Sequence, residues 1–131
     1  MKKLLIRVLF VAIGIATIVG CRTAPIYNVD NAAVVSSTDK RLSMSQVKNA
    51  IIRGGASRGW AMKAKRRGHI VGTLHLRGNM AQVDIKYNTK SYSITHKDST
   101  GLGYDGSNIH KNYNGWVHNL QTSISSQLST M

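Results

Sequence analysis

Three stretches of the chain alternate apolar and polar residues with a period of two. His69 to Arg77 sets Ile70, Gly72, Leu74 and Leu76 against His69, Val71, Thr73, His75 and Arg77. Ala81 to Tyr87 sets Ala81, Val83, Ile85 and Tyr87 against Gln82, Asp84 and Lys86, and Ser91 to His96 repeats the pattern with Tyr92 and Ile94. Such alternation predicts half-buried strands. Trp60, Met62 and Ala64 supply a strand before them, turning Lys63 and Lys65 to solvent. The connections Arg66-Arg67-Gly68, Gly78-Asn79 and Asn88-Thr89-Lys90 are short and turn-like, which predicts an antiparallel meander of three or four strands, one face packed and one wet.

On either side the period changes to three and four. Ser43-Met44-Ser45-Gln46 has the form of a capping box, and Val47, Ala50 and Ile51 follow at helical spacing, predicting a helix from Met44 to Ser57. Gly54-Gly55 costs that helix about 1 kcal/mol per glycine relative to alanine, so its last turn is expected to fray. Gly59 reads as its stop. Ile109, Tyr113, Trp116, Val117, Leu120, Ile124 and Leu128 predict a C-terminal helix from Asn108 to Leu128, capped by Ser107 or Asn108. The expected fold is α+β: a two-layer sandwich in which the meander is flanked by an N-terminal helix and a long C-terminal helix, with both tryptophans in the core.

The chain opens differently. Lys2, Lys3 and Arg7 give a positive start, and Val8 to Val19 is almost wholly apolar or small. An apolar core of ~7–15 residues suits an export signal, whereas a span needs ~20. At its end Ile18-Val19-Gly20-Cys21 resembles the lipobox of bacterial lipoprotein precursors, in which an aliphatic residue, a small-to-medium residue and Gly or Ala precede an obligatory Cys. The resemblance implies that residues 1–20 are removed as a signal peptide and that Cys21 becomes the acylated first residue. A thiol suits that chemistry because it is nucleophilic near neutral pH. The alternative, Cys21 as a small buried residue ending an uncleaved anchor helix, leaves the coincidence of charged start, apolar run and cysteine unexplained. Cys21 is the sole cysteine, so no disulfide framework competes for it.

Arg22, in place of Asp after that cysteine, implies outer-membrane sorting in the enterobacterial pattern this resembles, hence a location in the cell envelope on the periplasmic face of the outer membrane. Residues 21–42 hold the sole proline (Pro25), show no sustained period and read as the lipidated N-terminus and a flexible tether, with a short strand near Ala32 to Val35; residues 43–131 then form one domain. The layout of signal, tether and compact domain resembles small, uncharacterised envelope lipoproteins of proteobacteria. Val47 to Trp60, Asp84-Ile85-Lys86-Tyr87, Tyr92-Ser93-Ile94 and Ile109 to Trp116 carry that resemblance, and no activity comes with it.

Charge sharpens the picture. Three of the 18 Lys and Arg lie in the leader, and the five acids are all Asp, so cations outnumber acids about three to one in what remains. A domain so basic attracts anionic surfaces: lipopolysaccharide, anionic lipid, peptidoglycan or an acidic envelope protein. Nucleic acid, the usual partner of such a charge in the cytosol, is not expected as a partner outside it. By strand parity the wet face collects Lys63, Lys65, His75, Arg77 and Lys86, with Arg66 and Arg67 at its turn, against Asp84 alone. That set is either a platform for phosphate and carboxylate groups or an ordinary solvated face.

Other candidate chemistry is thin. Gly101-Leu102-Gly103-Tyr104-Asp105-Gly106 spells GxGxxG, but tight turns before it deny the parallel crossovers that a dinucleotide fold needs, and no acid follows Asp105 to hold a ribose. His69, His75, His96, His110 and His118 show no metal-ligand spacing. The five aspartates are scattered and no serine has a marked base, so neither a metal, nor a cofactor beyond the covalent lipid on Cys21, nor catalysis is expected. Tyr104, Tyr113 and Trp116 read as groove or core rim. Two functions stay open: a non-catalytic, membrane-anchored periplasmic binder of anionic envelope components, or an accessory subunit docking on another envelope protein by the C-terminal helix or a sheet edge.

Overall fold

The structure, a computed structural model, describes residues 22–38 and 40–131; the leader and Cys21 lie outside the described residues. The chain is α+β. Two short strands, β1 (Thr23–Pro25) and β2 (Val29–Ala33), precede helix α1 (Met44–Ala56). The meander follows as β3 (Ala61–Arg66), β4 (His69–Leu76), β5 (Asn79–Tyr87) and β6 (Ser91–Thr100). Strand β7 (Asn108–His110) then leads into helix α2 (Lys111–Ser129).

The main sheet has five antiparallel strands in the order β2-β6-β5-β4-β3, and β1 pairs with β7 in a separate ribbon. This corrects the expected three- or four-stranded sheet. It also corrects the N-terminal helix, since α1 has two strands ahead of it. The stretch expected as a tether is built into the fold over most of its length: Thr23–Pro25 pair with Asn108–His110, and Val29–Ala33 form an edge of the sheet.

One rung shows why. Ala64, Ile70, Ile85, Ile94 and Val29 face one another across all five strands, and the last four are buried. Burying each such side chain contributes roughly 1.5–3 kcal/mol relative to leaving it in water, so Val29 draws β2 onto β6. The alternation of β2 is hidden by a register shift between Val29 and Ala32, where Asn31 adopts φ 52°.

Both helices cover the face that carries this rung. Ser43 caps α1 in the expected box: its hydroxyl accepts from the Gln46 N–H (3.1 Å), and the Gln46 side chain accepts from the Ser43 N–H (2.8 Å). The glycines do not fray the helix. A Cβ on Gly54 would stand 2.8 Å from the Ile124 backbone, so this glycine lets α1 and α2 touch closely. Helix α2 starts later than expected because Ile109 is spent in β7; its cap is His110, whose Nδ1 accepts from the Asn112 N–H (3.1 Å). Trp60 is buried in the core, but Trp116 is only half-buried against it.

Candidate functional site, a basic cleft at one end of the sheet

Helix α1 has 13 residues and β3 has six, lengths of about 20 Å each. Joined by a tight turn, they are antiparallel, so the end of β3 returns to the start of α1. There Lys48, Lys65, Arg66 and Arg67 line a cleft of about 350 Å³ together with Met44, Ser45, Ala64 and Tyr87.

Local geometry brings these cations together. The β3–β4 register slips between Ala64 and Arg66, leaving Lys65 as a bulged residue. The bulge takes Lys65 out of the alternating row and into the cleft beside α1. Gly68 closes the turn at φ 81°, and its carbonyl accepts from the Tyr87 N–H at 2.9 Å. A Cβ there would be tight, 3.0 Å from the Tyr87 carbonyl oxygen, on a backbone already at a φ that favours glycine.

The first turn of α1 holds no acidic residue, so its positive dipole end adds to the field of the four side chains. Among the described residues Asp84 makes the side-chain contacts between acidic and basic groups, a hydrogen bond to His69 (2.7 Å) and an approach to Lys97 (3.9 Å), and neither touches the cleft. A second, shallower hollow of about 380 Å³ at the same end is lined by Lys40, Arg41 and Lys90 with Val34, Val35, Ser36 and Thr89. Lys86, one residue before Tyr87, shares a rung with His69. Cations thus gather at the end where β3 and β5 finish and α1 begins.

The candidate binding residues drawn from strand parity therefore divide. Lys65, Arg66 and Arg67 meet in the cleft, and Lys86 lies at the same end. Lys63 stands further along β3, opposite Val71. His75 and Arg77 lie at the far end of β4, where Arg77 (φ 52°) and Gly78 (φ 81°) make the two-residue turn. The centre of the open face is less positive than parity suggests. Asp84 is held there by His69 and Lys97, and Asp98 sits opposite Gln82 in the next row.

Lys48, Lys40, Arg41 and Lys90 were not legible as partners of this group. A signal for Lys48 existed in the matched lengths of α1 and β3; the others depend on where residues 34–41 run, which no local pattern reports.

Most of the other singled-out groups have a local task. Four of the five histidines show theirs: His69 binds Asp84, His96 bonds Ser99 (2.9 Å), His110 caps α2 and His118 stacks on Tyr27 with ring centres 3.7 Å apart. No three His, Cys, Asp or Glu side chains converge among the described residues. The glycine-rich loop is a β6–β7 connection in which Asp105 accepts from the Asn108 N–H (2.7 Å) and the Ser107 N–H (2.9 Å). Those bonds, Asn108 first, hold its carboxyl below the usual aspartate value.

The three aromatics do not share a groove. Tyr113 is buried, Tyr104 packs on His96 at 4.0 Å, and Trp116 lines a small separate hollow with Arg58, Trp60 and Leu74. Burial pushes His96 toward its neutral form, opposed by the charge of Asp98. No family model matches the chain, and no curated protein or solved structure is similar to it.

Proposed function

We propose that the chain is a lipid-anchored envelope protein, acylated at Cys21 and non-catalytic, that binds anionic envelope components through the cleft of Lys48, Lys65, Arg66 and Arg67. The observation that supports this reading is the convergence of four cations from three local elements, with no described carboxylate within ion-pair distance. Like charges repel, so such a gathering is unfavourable for the isolated domain and suits a ligand that neutralises it. Two adjacent arginines match the forked geometry of carboxylates and phosphates. The binding surface proposed here is the end of the sheet and not the middle of its open face, where Asp84 is already paired.

The docking alternative gains less support. The large exposed apolar side chains among the described residues are Val35, Leu76 and Tyr104. Val35 lies at the basic end and Leu76 at the opposite turn, so they form no continuous patch.

Binding of the full-length protein, held in detergent, to lipopolysaccharide and to soluble peptidoglycan fragments, measured at low and high salt, tests the proposal. Arg66→Glu with Arg67→Glu should weaken binding at least tenfold, since each cation near an anionic surface contributes about 1 kcal/mol. Lys63→Glu with Arg77→Glu, both away from the cleft, should change it little. Equal losses for both pairs would point to bulk charge, and no loss for the arginine pair would remove the cleft from consideration.

A further inference from the structure

The place where the chain enters the fold and the basic cleft lie at opposite ends of the domain. Thr23 pairs with His110 at the start of α2, and the Asn114 side chain clasps this entry, donating to the Pro25 carbonyl (2.9 Å) and accepting from the Tyr27 N–H (2.8 Å). Helix α2 then runs 19 residues, about 28 Å, toward the other end. There the Ser37 hydroxyl donates to the Met131 carbonyl (3.3 Å), just beyond the hollow lined by Lys40, Arg41 and Lys90.

Only Arg22 separates Cys21 from paired Thr23, so at most about 7 Å of chain joins an acylated Cys21 to the folded body. We infer that the anchored domain stands on its β1–β7 end, and that its cleft is directed away from the bilayer toward the carboxylates of peptidoglycan rather than the phosphates of the anchoring leaflet.

This rests on the proposed acylation of Cys21. Given that anchor, the cleft opens at the end formed by the first turn of α1 and the β3–β4 turn. To meet headgroups of its own leaflet it would have to invert across a body of about 28 Å on a link of about 7 Å. The surface potential of the bilayer does not draw it either, because it decays over about 8–10 Å at ordinary ionic strength. Cations beside the entry, Arg22 and exposed Lys111, are the ones placed to meet the headgroups.

The test uses the full-length protein purified from cells in detergent. Intact mass first reports the acyl adduct on Cys21; a free thiol there removes the anchor, and with it this orientation, whatever the cleft binds. The acylated protein is then inserted into preformed vesicles of phosphatidylcholine, with or without phosphatidylglycerol, and its lysines are labelled with a membrane-impermeant amine reagent. Lys48 and Lys65 should label at the same rate in both vesicles, within about twofold. They should slow roughly tenfold when soluble peptidoglycan fragments are added, while Lys111 is slowed by the bilayer itself. Slower labelling of Lys48 and Lys65 on the anionic vesicles would show the cleft lying on the membrane. Unchanged labelling with the fragments would overturn the assignment of the ligand.

Discussion

Two buried tyrosines separate what burial does from what a hydrogen bond does. The Tyr92 hydroxyl bonds Ser125 Oγ (2.7 Å) and donates to the Gln121 carbonyl (3.3 Å), whereas the Tyr113 hydroxyl is buried with no partner among the described residues. Burial pushes both phenols up, and at Tyr113 no bond offsets it while Tyr104 adds to the effect. Tyr92→Phe should therefore cost about 1 kcal/mol in urea unfolding, while Tyr113→Phe should be neutral or stabilising, because an unpaired buried hydroxyl is itself a penalty. Asp105 gives a pH signature. Its carboxyl is held low by backbone N–H groups, so its contribution to stability is full above about pH 4 and is lost as pH falls through the lower folded value. The melting temperatures of wild type and Asp105→Ala should differ at neutral pH and converge in acid.

At the scale of elements, the meander was readable because each strand alternates cleanly and each turn is short. What escaped was non-local or irregular. Strand β2 pairs with β6 across about sixty residues, and Asn31 breaks its alternation with a positive φ. Ile109 fits the apolar stripe of α2 four residues before Tyr113, yet it serves β7; only the pairing with Ala24 decides between the two, and that pairing has no local signature. The glycines of α1 were read as a weakness when they are a contact, since propensity says nothing about the helix lying against them. The site was half legible. Arg66 and Arg67 announced themselves at a turn, whereas the bulge at Lys65 put parity out of step at the residue where it mattered. A deletion tests the recast N-terminal stretch. A chain starting at residue 34 should lose cooperative thermal unfolding by circular dichroism, because Val29 and the Tyr27 bond to Gln121 (2.6 Å) go with it; a mere tether could be removed without effect.

Across the whole molecule, charge is polarised as well as abundant. Eight of the fifteen described Lys and Arg gather at the end holding the cleft, and the described aspartates lie elsewhere: Asp30 on β2, Asp84 and Asp98 on the open face and Asp105 in the β6–β7 loop. Crowding should leave a thermodynamic trace. Added salt should raise the melting temperature by screening the repulsion, and Lys65→Glu should raise it at low salt while weakening anion binding, a trade between stability and function. If Lys65→Glu lowers the melting temperature, the lysine is holding the fold together instead.

The lysines of β3 have one more effect. This strand borders the sheet, and its outer row of amide and carbonyl groups could template a strand from a neighbouring copy. Lys63, Lys65 and Arg66 in six residues, with a bulge among them, make that approach electrostatically and geometrically unfavourable. Neutral side chains there would do more than weaken the proposed ligand capture; they would open the border to self-assembly, so that the charges proposed to attract a polymer also keep the protein from becoming one.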